Sequence, residues 1–172
     1  MPTCALTEKD MVHHAVHGDP RPKGFVVVAL LMVATTLLSC SQRHPTDRGV
    51  SEAGLAPCPS SPNCVSSDAR DTGHGVDALR LARPAGEAWD EARAVVLNFP
   101  RTRIVDEQPT YVRVECRSAF FGFVDDLELQ LRPADNIIAV RSASRLGYSD
   151  LGVNRRRVER LRAALIERGI VR

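Results

Sequence analysis

The chain has 172 residues, room for one domain of ordinary size with extensions, and 44% of them are apolar, enough for a core. Its net charge of +2 gives no global field that would point to nucleic acid or an anionic membrane surface. Of 23 basic residues only Lys9 and Lys23 are lysines, so arginine by itself is a weak sign of a binding role. Its placement says more: residues 106–135 carry seven acids against three arginines, and residues 141–172 carry nine arginines against three acids. An acidic middle and a basic end attract each other if they fold together.

The first predicted element is an address. Phe25 to Ser39 is an uncharged run that follows Arg21 and Lys23 and ends at Leu37-Leu38-Ser39-Cys40. It is shorter than the ~20 residues of a spanning helix and has the flanks of a secretory signal. Its ending resembles a bacterial lipobox, which makes residues 1–39 a signal peptide and Cys40 the lipidated first residue of the mature protein. An uncleaved signal anchor is the alternative, and Met11 is an alternative start. His13, His14 and His17 fall in the discarded leader. The expected location is the cell envelope, lipid-anchored, on an outer membrane facing the periplasm where the organism has one.

Residues 40–55 are polar, with Pro45, Gly49 and Gly54, and read as a flexible tether before a single domain over 56–172. After export three cysteines remain besides Cys40. Cys58 and Cys64 close a short loop stiffened by Pro59 and Pro62, for which a disulfide is the natural reading outside the cytoplasm. A zinc site completed by His44 and His74, or a pair of redox-active thiols, are the alternatives. Cys116 falls in phase with Val112 and Val114 and reads as a buried, inert thiol.

Val76–Ala82 alternates weakly, as a short strand would. Glu87–Phe99 has Trp89, Ala92, Val96 and Phe99 at helical spacing, closed by Pro100. Arg103–Asp106 is a short strand. Tyr111–Arg117 and Val124–Arg132 alternate strictly, with Val112, Val114, Cys116, Leu127, Leu129 and Leu131 inward and the charged residues between them outward. Pro133–Asn136 is turn chemistry, Ile137–Ser142 the next strand, and a helix ends the chain. The expected fold is α+β: an antiparallel sheet of four to five strands, two packed helices and one covered face. Phe120, Phe121 and Phe123 in one connection read as core filling, with an exposed patch as the alternative.

The segment Arg141–Arg157 (RSASRLGYSDLGVNRRR) joins that strand to the last helix. With Asn154 as the N-cap, Val153 and Val158 would staple the helix start. Arg155, Arg156 and Arg157 would then fill its first turn, the wrong sign for the dipole unless an anion answers them. With Asp150 as the cap the anomaly disappears. In either case Val158, Leu161 and Leu165 define the core face, Asn154 lies on it and Arg157 beside it. Arg157 is therefore the inward-reaching arginine, with a carboxylate such as Asp125 or Asp150 as its partner. Asp125 is in phase with the inward leucines, and a carboxylate there needs a partner.

PCPSSPNCVSS, FVDDLEL and VRSASRLGYSDLGVNRRRVERLR together resemble the domain of unknown function 1499, whose members are often bacterial lipoproteins and which also occurs in plastids. The resemblance implies a common fold and a site at Cys58, Cys64, Asp125, Asp126, Arg141, Ser142, Ser144, Arg145, Asp150, Asn154 and Arg157, and it implies no reaction. Two functions compete. One is a non-catalytic envelope domain binding a partner or a small anion through the arginine segment, unless those arginines are tied to internal carboxylates. The other is an enzyme using Ser142, Ser144 or Ser149, or a thiol-redox protein. Catalysis is the weaker reading, because no G-x-S-x-G, H-E-x-x-H or phosphate-cradling loop is present. No cofactor, metal or nucleic-acid partner is expected.

Overall fold

The computed structural model describes residues 49–51 and 53–172. The expected signal peptide, Cys40, His44 and most of the expected tether lie outside the described residues. Among the described residues eight strands and two α-helices follow in order: β1 (Val50–Ser51), β2 (Gly54–Leu55), β3 (Cys64–Ser66), β4 (Leu79–Arg80), α1 (Ala85–Leu97), β5 (Thr102–Gln108), β6 (Tyr111–Arg117), β7 (Val124–Arg132), β8 (Ile137–Ser144) and α2 (Val153–Glu167). The α+β expectation holds, with more strands than expected. The main sheet has six, in the order β3-β8-β7-β6-β5, and β4 also pairs with β8. β3 and β4 lie in line along one edge of β8, at its Arg141–Ala143 and Ile137–Ile138 ends.

Long central strands come from the strict alternation. β6 and β7 pair Val112 with Leu129, Val114 with Leu127 and Cys116 with Asp125. β7 and β8 pair Leu129 with Val140, Leu127 with Ser142 and Asp125 with Ser144. These residues form one face, on which the buried side of α1 (Ala88, Trp89, Ala92, Val95, Val96) and of α2 (Val158, Leu161, Leu165) closes the core. Each fully buried leucine or valine there contributes about 1.5–3 kcal/mol. Trp89 is a core residue, as expected. The chain end returns to the sheet: the Ala82 amide donates to the Ile170 carbonyl and the Arg172 amide to the Arg80 carbonyl.

The expectation of a single covered face is overturned. Glu115, Asp126, Glu128 and Arg141, all on the opposite face, are buried. They are covered in part by β1 and β2, with Leu55 packed on Tyr111 and Ala139. The Gly49 amide donates to Glu128 at 2.8 Å and the Leu55 amide to Asp68 at 3.0 Å. Residues 49–51 and 53–55, assigned to the tether on composition, are thus part of the folded unit. Gly54 shows why a glycine stands there: its φ is +110°, and a Cβ would lie 2.7 Å from both Arg132 Nη2 and Asp68 Oδ2. Alternation in charge marks which face a residue points to; it does not mark solvent when the charges pair among themselves.

Cys58 and Cys64 form a disulfide, with a Cα–Cα separation of 5.6 Å. A loop of this size is worth roughly 2 kcal/mol in the chain-entropy account. Cys116 is buried and free, and burial pushes its thiol up.

Candidate functional site

Four connections meet at one end of the main sheet. Cys64 pairs with Ala143, Thr102 with Cys116, Arg117 with Val124 and Asp125 with Ser144. Residues 56–63, 98–101, 118–123 and 145–152 therefore share that end.

On the helix side of the sheet, Arg157 donates from Nη2 to Asp125 Oδ2 at 2.5 Å and from Nη1 to Ser142 Oγ at 2.9 Å. Ser142 Oγ in turn donates to Asn154 Oδ1 at 2.7 Å. The Asn154 side-chain Nδ2 donates to the Asn63 carbonyl at 3.0 Å and to Ser144 Oγ at 2.9 Å. This network ties β7, β8, α2 and the disulfide loop to one another. Asn154 and Arg157 are buried, as their helical phase requires.

On the other side, Arg141 Nη1 donates to Glu128 Oε1 at 2.6 Å, and the Tyr111 hydroxyl donates to Glu128 Oε2 at 2.7 Å. Burial first, and the Glu128 carboxylate second, push the Tyr111 hydroxyl well above its ordinary value, so it stays a donor. Arg145 grips Asp126 with two bonds, Nε to Oδ2 at 2.9 Å and Nη2 to Oδ1 at 2.7 Å, and reaches Glu115 Oε1 at 2.7 Å with Nη1. The hydrogen bond to Asp126 raises the Arg145 pKa further, so this cation never titrates. The Arg103 guanidinium, hydrogen-bonded to Glu115, holds that carboxyl below its usual range. Glu115 thus stabilises the fold above the ordinary carboxylate pKa, and the contribution is lost as pH falls through the depressed value.

Arg141, Arg145 and Arg157 therefore each meet an internal carboxylate. The two sets of partners lie on opposite faces, because Asp125 and Asp126 are neighbours on a strand. The start of α2 resolves the capping question. Asn154 is inside the helix, and the Asp150 carboxylate accepts from the amides of Gly152 (2.9 Å) and Asn154 (2.7 Å). The Asn154 cap and the Val153 staple are corrected accordingly: Val153 is partly exposed, and the Asp150 side chain supplies the negative charge the helix start lacked. Arg155 is spent on the carbonyls of Gly75 and Gly73, and Arg156 on that of Leu151.

Among the described residues no serine hydroxyl is hydrogen-bonded to a histidine ring. Ser142 faces Asn154 and Arg157, while the His74 ring contacts Asp71 and the Ser61 carbonyl. No group of three or more His, Cys, Asp or Glu that could hold a metal occurs among the described residues.

Two depressions flank the chain at Ser144 and Gly147. One, of about 240 Å³, lies under the disulfide loop and is polar, reaching Asp126 and Arg141. Its whole lining comes from the three segments PCPSSPNCVSS, FVDDLEL and VRSASRLGYSDLGVNRRRVERLR, which are far apart in sequence. The other, of about 150 Å³, lies between Phe123, Leu146 and Val153. Leu146 lines it, and Tyr148 and Leu151 on the same loop are exposed, as are Phe120, Phe121 and Phe123 on the other; Leu146, Tyr148 and Leu151 are residues that sequence reasoning missed. Phe120 is 94% exposed and Phe121 80%, so the core-filling expectation for this connection is overturned. The available signal was the pair of flanking loops. Neither has the alternation or helical period that would give a side chain a buried face.

No curated protein and no solved structure matches the chain. The model of one family, described as a protein of unknown function (DUF1499), matches residues 54–165 of the 172, and the chain belongs to that family.

Proposed function

We propose that this is an exported, lipid-anchored protein of the cell envelope whose folded domain is a non-catalytic binding module. The uncharged run before Cys40 and the disulfide of Cys58 with Cys64 support export, since disulfides persist in oxidising compartments. The observation that carries the binding reading is the cluster of large exposed apolar side chains on two loops at one end of the sheet. Contiguous apolar surface of this kind marks interaction sites on soluble domains. The arginine segment serves that end as a frame. A second reading, a small polar ligand in the cleft under the disulfide loop, is favoured by one observation, the convergence of all three signature segments on it.

Two measurements test the proposal. Intact mass of the mature protein is expected to show Cys40 as the first residue, carrying acyl chains; a chain still bearing residues 1–39 contradicts the anchor. The folded protein is also expected to bind a hydrophobic dye, and Phe120→Ser with Phe121→Ser to reduce that binding at least severalfold with an unchanged melting temperature. Dye binding unaffected by the pair removes these loops as the surface.

A further inference from the structure

Building on the lipid-anchor reading above, we propose that the loop end of the domain docks on the surface of an anionic phospholipid bilayer, so that the membrane holding the lipid of Cys40 is also its binding partner.

The apolar group consists of Phe120, Phe121, Phe123, Leu146, Tyr148 and Leu151, from two loops. Aromatic rings with aliphatic neighbours are the side chains that settle at the boundary between headgroups and acyl chains. Leu151 is held outward by a left-handed backbone, φ +52°, an uncommon conformation for leucine, fixed by the Asp150 side chain and the start of α2. The exposed charge around the group is mainly positive. Arg101, Arg117 and Arg156 are exposed beside these loops: Arg101 Nε donates to the Arg117 carbonyl, Arg156 Nη1 to that of Leu151, and Arg117 shares Glu115 with Arg103 and Arg145, so that this one carboxylate is outnumbered by the cations around it. The acids at this end are engaged: Asp125 with Arg157, Asp126 with Arg145, Glu115 with three arginines, and Asp150 with helix amides. A near-neutral total charge therefore conceals an arginine rim around an apolar centre, the complement of an anionic headgroup layer over hydrocarbon.

The length of chain before the fold agrees. Eight residues separate Cys40 from Gly49, a reach of at most about 30 Å. Gly49 is bonded to Glu128, four residues along β7 from the loop end at Val124, or roughly 13 Å. A lipid on Cys40 thus keeps this end within reach of the bilayer.

The test uses the full chain with Phe121→Trp, an exposed position, and vesicles of phosphatidylcholine alone or mixed with phosphatidylglycerol, with and without brominated acyl chains. Trp89 is buried in the core and supplies a constant background. The expected result is a blue shift and at least twofold bromine quenching of the introduced indole on the anionic vesicles. Arg101→Glu, Arg117→Glu and Arg156→Glu together are expected to abolish the difference between anionic and neutral lipid. Protein that sediments with the vesicles while the indole stays unquenched is anchored but not docked, which overturns this inference and leaves the anchor standing. Quenching in a preparation whose Cys40 carries no lipid shows docking without the anchor and supports the inference, while the anchor stands or falls on the intact mass. An emission shift that follows protein concentration without vesicles assigns the surface to a second copy and overturns the inference.

Discussion

Arg157→Ala is expected to destabilise the domain by about 3–5 kcal/mol, a large part of the ~5–15 kcal/mol by which a domain is folded. The reason is what the substitution leaves behind. Asp125 is 6% exposed, sits in the row of inward leucines and has Arg157 as its charged partner. Ser142 and Asn154 lose the same donor, since Arg157 Nη1 serves both. Asp125→Ala should cost a similar amount, because it strands the guanidinium instead. Replacing both, with Asp125→Leu and Arg157→Met, removes the buried charges together, and the double variant is expected to be more stable than either single one. Urea denaturation of the four proteins measures the coupling. Additive losses would show that the pair is not a unit.

Glu128→Ala is the second large effect, also about 3–5 kcal/mol. Glu128 is fully buried and its two oxygens serve three elements: Arg141 on β8, the Tyr111 hydroxyl on β6 and the Gly49 amide where the chain enters the fold. Its loss removes the carboxylate facing a buried arginine and a tyrosine hydroxyl, and unpins the β1–β2 ribbon from the second face. Tyr111→Phe removes one of these bonds and should cost about 1–2 kcal/mol. A protease that cuts near residues 43–56 is expected to act much faster on Glu128→Ala than on Tyr111→Phe. Equal rates would mean that Glu128 does not hold the entry.

These two carboxylates show how far the sequence could be read. Asp125 was legible because period-two alternation placed it among Leu127, Leu129 and Leu131, and helical phase placed Arg157 opposite. The bounds of β6 and β7 came from the same alternation. Glu128 was not legible. Its alternation is that of a residue facing water, and what covers it is a ribbon of two-residue strands that no periodicity announces. β3 was hidden for a related reason: Cys64–Ser66 is three residues long and becomes a strand by pairing with β8. Arg145 lies in a loop, where pattern gives no direction, so its choice of Asp126 and Glu115 appears only once β6, β7 and β8 are side by side. The phenylalanine connection misled because apolar composition without periodicity says nothing about which way a side chain faces.

The central claim is that the arginine segment is internal framework and that recognition belongs to the exposed loops. Melting of the wild type and of Arg145→Ala, in phosphate and in chloride at equal ionic strength, tests it most directly. Arg145 is the most exposed of the three paired arginines, with a quarter of its side chain in solvent, and so the best placed to take an outside anion. Phosphate stabilises folded proteins generally through exclusion from their surface, so the informative quantity is the difference between the two proteins. Arg145→Ala is expected to melt lower in both salts, and phosphate to raise both midpoints equally. A bound anion at a hundred times its dissociation constant would add about 2.7 kcal/mol, or several degrees, to the wild type alone. An increment in phosphate that the wild type shows and Arg145→Ala lacks would contradict that claim.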